Sequence, residues 1–343
     1  MNSRHAQLAG MMLVLVAPAI GVRAQDAGRY VWKDGGWQEV TPAEPGTPAG
    51  DLAAVRALQA RGKHGDMLDA AKAFCKAHPD SPLREEALNL AAQAEFDRGR
   101  YYQAYERYER QITEFPNGKL LDRALVREVA IAEKFLAGEK RIALKVLRLP
   151  AKDEALDILL GVAEHAPGTE RAQQALLRIA DYHFQEEDWS RAAEAYDHFL
   201  ATYPKSDRAA QAMLQAAHAA YRAYEGPAFD ETPLIEAEQR YRTVLAEHEQ
   251  AARREGVEGI LEQITALRAE KLYETARFYE RVNKPKAARY AYAELARQYP
   301  QTDWGRRGQE AAERLAPSGP QPGDEAGGPE PPAKPDGEDG ARE

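Results

Sequence analysis

Residue types suited to acid–base or metal chemistry cluster in the stretch ADYHFQEED, which runs from Ala180 to Asp188. His183 lies between Asp181 and three consecutive carboxylates at positions 186–188. A catalytic or metal site requires such groups to converge on one point. Asp181 and His183 are two positions apart on a predicted helix, however, and therefore point to different sides. The pattern favours a helix-surface or packing role for His183 over a catalytic one.

The other candidates for chemistry are scattered along the chain. The remaining histidines show no His-Glu-x-x-His pattern, and no Gly-x-Ser-x-Gly, phosphate-loop or dinucleotide fingerprint occurs in the sequence. The single cysteine, Cys75, has no partner for an internal disulfide or a zinc site, and its position predicts a buried, inert thiol. The sequence therefore predicts a protein that is not an enzyme, with no catalytic residue, metal site, cofactor or small-molecule substrate.

The elements that hold these residues are predicted to be helices. Of the 343 residues, 44% are apolar and 29% are charged, and helix-forming types outnumber β-branched ones. Helical patterning is almost continuous from Asp51 to Leu315, which predicts an all-α fold. The formal net charge is −9, and no long basic stripe interrupts it, so nucleic acid is not an expected partner.

Both ends of the sequence differ from this helical block. An apolar run from Leu8 to Val22, followed by a small-x-small site ending at position 24, predicts a cleaved signal peptide at residues 1–24 and hence export; an uncleaved anchor is the alternative. No later run is apolar enough to span a bilayer, and no cysteine of the bacterial lipoprotein type follows the apolar run. The composition of residues 25–50 predicts a short aromatic hairpin or arm and a Pro-rich linker. The composition of residues 316–343 predicts a disordered, acidic Pro/Gly-rich tail.

Prolines divide the helical block into repeated units. Five predicted helices end at a proline: Pro79, Pro116, Pro167, Pro204 and Pro300. In three of these units a Tyr stands eight residues before the proline, and an Ala stands twelve and again twenty-four residues before it. Small residues at two fixed places allow paired helices to approach closely, and the Tyr fills the gap beside them. In four units a hydroxyl residue two places after the proline is a predicted helix cap: Ser81, Thr169, Ser206 and Thr302.

This spacing resembles the tetratricopeptide repeat (TPR), a helix–turn–helix unit. The fit is strong at Ala87–Asn117, Ala175–Lys205 and Lys271–Gln301. It is weaker in the units that end at Pro79 and Pro167, and in one from about residue 208 to 249 that lacks the proline. The resemblance implies a right-handed superhelical stack of about five to six TPR-like helical hairpins, an α-solenoid, over residues 51–315.

The resemblance also implies a concave surface made by the first helix of each hairpin. Solvent-facing residues there are able to bind an extended peptide, and an ordinary solvated helix face is the alternative interpretation. The groove positions carried over from the family are Asn89, Gln93, Phe96, Asp97, Leu177, Asp181, Phe184, Gln185, Tyr273, Arg277, Glu280 and Arg281.

Finer details resemble the BamD-type outer-membrane assembly factors. The matching text includes AAEAYDHFLATYPKSDRAAQAM and the Phe-Tyr-x-Arg…Lys-Pro…Ala-Ala run from Phe278 to Ala288. This resemblance implies a periplasmic scaffold at the inner face of the outer membrane that binds protein partners, the β-barrel assembly machine among them. Two alternatives stay open. One is a TPR adaptor for cell-envelope or division machinery, like the YbgF-type partners of the Tol-Pal system. The other, less favoured, is an enzyme with a helical superstructure like the soluble lytic transglycosylases, which requires a separate catalytic domain.

Overall fold

The computed structural model describes residues 29–33, 36–40, 44–143 and 147–316. The predicted signal peptide at residues 1–24 and positions 317–343 of the predicted tail lie outside the described residues. The chain divides into two compact units, residues 1–94 and residues 95–343, and each unit is described by itself.

The first unit contains a β-hairpin followed by helices. Strands β1 (Arg29–Lys33) and β2 (Gly36–Val40) pair in antiparallel fashion, with Trp32 opposite Trp37. Helices α1 (Pro48–Ala60) and α2 (His64–Ala77) come next, and α3 (Arg84–Asp97) continues across the boundary into the second unit.

Helix α1 begins inside the segment that the sequence predicted to be linker. The side chain of Thr47 accepts a hydrogen bond from the backbone N–H of Gly50 at 3.1 Å, and Pro48 is the first helical residue. This side-chain cap and the fixed φ of the proline are enough to start the helix three residues before Asp51. The predicted linker therefore ends at Thr47 rather than at Gly50.

The core of the first unit is formed by α1, α2 and the first part of α3. Met67 and Ala71, which stand where stronger repeats have Ala and Tyr, are both fully buried, as is Val55 on α1. Cys75 packs at the edge of this core and is only partly buried, so it is less buried than the sequence predicted. The reason is its neighbour Phe74, which takes the inward-facing position of the last turn.

The second unit holds the remaining helices and a second small hairpin. Its elements in chain order are α4 (Tyr101–Glu114), α5 (Leu121–Leu136), β3 (Arg141–Ala143), β4 (Leu147–Leu149), α6 (Lys152–His165), α7 (Glu170–Gln185), α8 (Trp189–Thr202), α9 (Ala209–Arg222), α10 (Thr232–Glu247), α11 (Glu249–Arg254), α12 (Val257–Arg281), α13 (Pro285–Gln298) and α14 (Asp303–Arg314). Helix α5 packs on α6, α7 on α8, α9 on α10 and α12 on α13, and α14 packs on both α12 and α13. In the first unit α1 packs on α2, so the described residues contain five such helical pairs. The fold is an α-solenoid of helical hairpins, as predicted.

The positions that revealed the repeat form the core of these hairpins. Four tyrosines are buried at the position eight residues before the unit's end: Tyr108, Tyr196, Tyr241 and Tyr292. The small residues four positions earlier are fully buried: Ala104, Ala192, Ala237 and Ala288. So are the small residues on the first helices: Ala92, Ala180 and Ala276. The predicted packing of an aromatic ring beside closely approaching helices is confirmed.

The turns between paired helices use left-handed residues where the sequence predicted them. Gly62 and Gly99 have φ of 67° and 71°, and Asn283 adopts φ of 57°. Two of the four predicted hydroxyl caps are present, because Thr169 and Thr302 accept hydrogen bonds from backbone N–H groups in the first turns of α7 and α14.

The other two predicted caps are wrong. The hydroxyls of Ser81 and Ser206 accept from backbone N–H groups only two residues ahead, at Leu83 and Arg208. These bonds close local turns before α3 and α9, and the helices start one residue further on.

Two insertions depart from simple hairpins. The stretch between α5 and α6 contains the antiparallel strands β3 and β4. Between α10 and α12 the short helix α11 is inserted, and α12 starts after Gly256, whose φ is 66°. At 25 residues α12 is long, yet no helix in the described ranges is both long and apolar enough to cross a membrane.

Candidate protein-binding groove

Two parallel rows of side chains line a groove between the first helices of two neighbouring hairpins. On α7 the row is Leu177, Asp181 and Phe184, at the i, i+4, i+7 spacing of one helix face. On α9 the row is Gln211, Gln215, His218 and Arg222, which continues the same spacing for one more turn. We call this surface the α7–α9 groove. It contains a polar cavity of about 190 Å³ and an aromatic cavity of about 630 Å³, and Gln215 lines both.

The polar cavity is lined by side chains that already have hydrogen-bond or ion-pair partners. The hydroxyl of Tyr196 donates to Oδ1 of Asp181 at 2.6 Å. Burial and this nearby carboxylate raise the pKa of Tyr196, so the hydroxyl is a stable donor. Arg178 is held by Glu133 of α5 at 2.7 Å. These contacts fix the walls of the groove.

Two amide side chains of α9 remain available for a partner. Gln211 and Gln215 make no hydrogen bond to any other residue that the structure describes. Each primary amide offers two donors and an acceptor, which is the set needed to bind a peptide backbone. The two residues are four positions apart, so they lie on the same face of the helix.

The aromatic cavity lies at the other end of the same groove. Its walls are formed by side chains of α7, α9, α10 and α12 and of the residues just after α9: Phe184, Gln215, His218, Tyr221, Arg222, Tyr224, Tyr241, Ile260 and Leu267. The ring of Phe184 packs edge-to-face on Trp189, with centroids 5.2 Å apart, and the guanidinium of Arg222 lies 5.7 Å from the same indole ring.

Burial keeps two titratable groups of this cavity, His218 and Tyr241, in their neutral forms. Loss of solvent lowers the pKa of His218, so its imidazole is uncharged at neutral pH. Loss of solvent also raises the pKa of Tyr241, whose ring lies 5.6 Å from the His218 ring. The hydroxyls of Tyr224 and Tyr241 are buried and have no hydrogen-bond partner among the described residues.

The structure brings together only part of the predicted groove set. Leu177, Asp181 and Phe184 line the groove, and Gln185 is exposed at the end of α7 without lining either cavity. Sequence reasoning missed the α9 row, although its spacing of four, three and four residues repeats that of α7. The α9 row was missed because groove positions were carried over only for the three strongest repeats.

The predicted positions on α12 serve the last hairpin instead. Tyr273 packs on Tyr292 and on Trp304, with ring centroids 5.5 and 4.9 Å apart. Glu280 accepts hydrogen bonds from the hydroxyl of Tyr292 at 3.1 Å and from Arg314 at 2.8 Å. Arg277 and Arg281 are exposed and both lie near Glu274, at 2.9 and 3.9 Å. This set therefore stabilises the end of the solenoid and does not extend the α7–α9 groove.

The predicted positions on α3 are the least available. Asn89 and Gln93 are only 1% and 4% exposed, so the expectation that they face solvent is wrong. The cause is that all residues from 87 to 95 are buried, which leaves no open face on this part of the helix. Phe96 is partly buried against Tyr101, with ring centroids 5.3 Å apart, and Asp97 is exposed.

The residues that first suggested chemistry do not converge. His183 is partly buried, burial lowers its pKa, and its Nδ1 lies 3.9 Å from Asp188, too far for a hydrogen bond. Asp181 is engaged by Tyr196 on another face of α7. Within the part of the chain that the structure describes, no group of three His, Cys, Asp or Glu side chains is arranged to hold a metal ion.

The fold is a tetratricopeptide-type α-solenoid. One protein family, YfiO, described as an outer membrane lipoprotein, matches residues 151–313, slightly less than half of the chain. The matched region runs from the start of α6 almost to the end of α14 and contains both helices of the groove. Comparison with curated proteins gives no match.

Solved structures of TPR proteins are similar at low sequence identity. A TPR protein from Parabacteroides merdae is 12% identical, with 78% of this chain and 98% of that chain covered and a TM-score of 0.33. The C-terminal part of a TPR repeat-containing protein from Cytophaga hutchinsonii is 11% identical, with 77% and 88% covered and a TM-score of 0.34. The TPR2AB domain of yeast Sti1, in a complex with pHSP90, is 14% identical, with 78% of this chain and 98% of that chain covered and a TM-score of 0.21.

Proposed function

We propose that the protein is a non-enzymatic, exported TPR scaffold that takes part in the assembly of outer-membrane β-barrel proteins. It acts by binding an extended segment of a protein partner in the α7–α9 groove. The observation that carries this proposal is the coincidence of two features in one region. The groove with its available amides lies inside residues 151–313, which match the outer membrane lipoprotein family.

The groove has the physical properties that a peptide site requires. It is long and open, it has apolar walls at Phe184 and Leu177, and it offers amides at Gln211 and Gln215 to the polar backbone of a partner. A binding role without catalysis agrees with His183, which has no hydrogen-bonded carboxylate to orient it.

The location belongs to the same proposal. The predicted signal peptide at residues 1–24 directs the chain out of the cytoplasm, and the family match suggests the periplasmic side of the outer membrane. The partner that this location implies is the β-barrel assembly machine. A TPR adaptor for the Tol-Pal system is the competing outcome, and it is distinguished by which partner is bound.

The test is an affinity pull-down of the full chain from envelope extract, with the bound proteins identified by mass spectrometry. We expect the central protein of the β-barrel assembly machine to be enriched with wild type and lost with Phe184→Ala, which removes an apolar wall of the groove. Phe278→Ala is the matched control, because Phe278 is 51% exposed and lies outside the groove. Enrichment of Tol-Pal proteins in place of the assembly machine would show that the resemblance to BamD is one of fold only.

A further inference from the structure

The aromatic end of the groove contains two hydroxyl donors that have no partner among the described residues. We call the side chains Phe184, His218, Tyr221, Tyr224, Tyr241 and Leu267 the aromatic pocket. Tyr241 is fully buried, and its hydroxyl, like that of Tyr224, has no partner among the described residues. A buried hydroxyl without a partner is destabilising, and native proteins leave few of them. Each such group in a native structure calls for a physical explanation.

Neighbouring hairpins show that the missing partner is specific to this repeat. The equivalent hydroxyls of Tyr196 and Tyr292 donate to carboxylates, at 2.6 and 3.1 Å. In α7 the acceptor Asp181 comes directly after the buried Ala180. The residue directly after the matching buried Ala217 of α9 is His218, whose ring packs tilted against Tyr241. This repeat therefore has an aromatic wall where α7 has an acceptor, and the Tyr241 hydroxyl has no partner among the described residues.

The size and chemistry of the pocket define what fits it. Its volume of about 630 Å³ accommodates one large side chain with the peptide groups on either side of it. The walls are aromatic and aliphatic, and the one guanidinium, that of Arg222, is held over Trp189. The inserted group is therefore apolar and uncharged, and it must bring hydrogen-bond acceptors for the two hydroxyls.

The spacing along α9 points to an extended chain as the source of those acceptors. Four residues of helix advance about 6 Å, close to the roughly 6.6 Å that two residues of an extended strand span. Gln211 and Gln215 are thus in register with alternate residues of an extended segment lying along the groove, and His218 marks the pocket one further turn along.

We propose that the aromatic pocket receives one large aromatic or aliphatic side chain of an extended partner segment. The hydroxyls of Tyr224 and Tyr241 donate to backbone carbonyls beside that side chain, and Gln211 and Gln215 bind the backbone further along. This inference rests on the proposed protein-binding role of the α7–α9 groove. It adds the recognition rule, which is a single apolar anchor in an otherwise extended segment.

The test uses two capped amino acids as probes of the full chain. N-acetylphenylalanine amide carries an aromatic side chain and two carbonyl acceptors, and N-acetylalanine amide carries the acceptors alone. We expect saturable binding of the phenylalanine probe with a Kd on the order of 1 mM, as its small size allows, and at least tenfold weaker binding of the alanine probe. Saturation-transfer NMR measures both.

Variants place the binding in the pocket. Tyr241→Phe and Tyr224→Phe keep the rings and remove the hydroxyl donors. Each variant is expected to bind the phenylalanine probe about fivefold more weakly than wild type. Leu267→Trp fills the cavity and is expected to abolish binding, with circular dichroism used to check that the variant folds. Tyr290→Phe is the matched control, since Tyr290 is 63% exposed and lies outside the pocket.

The outcomes separate this inference from the proposed function. Equal binding of the two probes, or unchanged affinity in both Tyr→Phe variants, overturns the anchor pocket even if the pull-down recovers the assembly machine. If the phenylalanine probe binds selectively and the Tyr→Phe variants bind it more weakly, the anchor pocket is supported even if the pull-down recovers a different partner. In that second case the site stands, and only its assignment to β-barrel assembly fails.

Discussion

The buried carboxyl group of Glu128 makes the stability of the protein depend on pH. It lies on α5, is fully buried, and neither of its carboxyl oxygens has a hydrogen-bond partner among the described residues. Burial, and secondarily the negative charge of Glu109 on α4, raise the pKa of Glu128 to about 9. Tyr105 and Tyr108 interact electrostatically with Glu128, and His165 lies 3.2 Å from the carboxylate of Glu109.

The sign of the effect follows from proton binding in the two states. Between about pH 4.5, the ordinary value for Glu, and pH 9, the folded protein keeps the proton on Glu128 while the unfolded chain has lost it. Stability therefore falls as pH rises through this window, by up to about 1.4 kcal/mol per pH unit. From pH 5.5 to 8.5 the loss that Glu128 causes amounts to about 4 kcal/mol.

The substitution Glu128→Gln keeps the shape of the side chain and removes its titration. We expect the variant to be little different from wild type at pH 5.5 and more stable at pH 8.5, with the gain increasing steadily between them. The measurement is urea unfolding of the full chain followed by circular dichroism at pH 5.5, 7.0 and 8.5. Glu106→Gln, at an exposed position on α4, is the control for removing a carboxylate. A stability difference between wild type and Glu128→Gln that is the same at all three pH values would refute the reasoning.

Two further predictions concern packing in the repeats. Tyr196→Phe removes a hydroxyl bonded to a carboxylate and is expected to cost about 1 kcal/mol of unfolding free energy, whereas Tyr241→Phe removes an unpaired hydroxyl and is expected to be neutral or stabilising. Equal losses in urea unfolding would contradict this contrast. Gly305→Ala is expected to destabilise by about 2 kcal/mol or more, because its Cβ would overlap the backbone carbonyl of Tyr299. Gly259→Ala, with open space at its Cβ, is expected to be neutral or to gain up to about 1 kcal/mol, and thermal unfolding measures both.

The sequence was sufficient to predict the fold because its signals are local and repeated. A proline that ends a helix and a left-handed residue such as Gly99 act within one turn, so their consequences do not depend on distant residues. The buried positions of Ala180 and Tyr196 follow from the same spacing. Short strands such as β3 and β4 were missed because three residues carry no alternation that distinguishes a strand from a turn.

The groove was predicted only in part because it depends on what covers each helix. Phe184 and Leu177 lie on a face that neighbouring elements leave open, as the repeat pattern implied. Asn89 and Gln93 occupy corresponding positions, but they are buried, and the burial of one helix by others is not encoded in its own spacing. The unpaired hydroxyl of Tyr241 was likewise out of reach, because it results from the absence of an acceptor on another helix.

The central claim is that the α7–α9 groove binds the β-barrel assembly machine, and site-specific photocrosslinking tests it most directly. The photoreactive residue p-benzoylphenylalanine is placed at Gln215 in the groove or at Gln239, an exposed position on α10, in the full chain expressed in its native host. We expect irradiation to link the Gln215 position, and not the Gln239 position, to the central protein of the assembly machine. Crosslinks to that protein from Gln239 alone, or crosslinks from Gln215 only to Tol-Pal proteins, would contradict it.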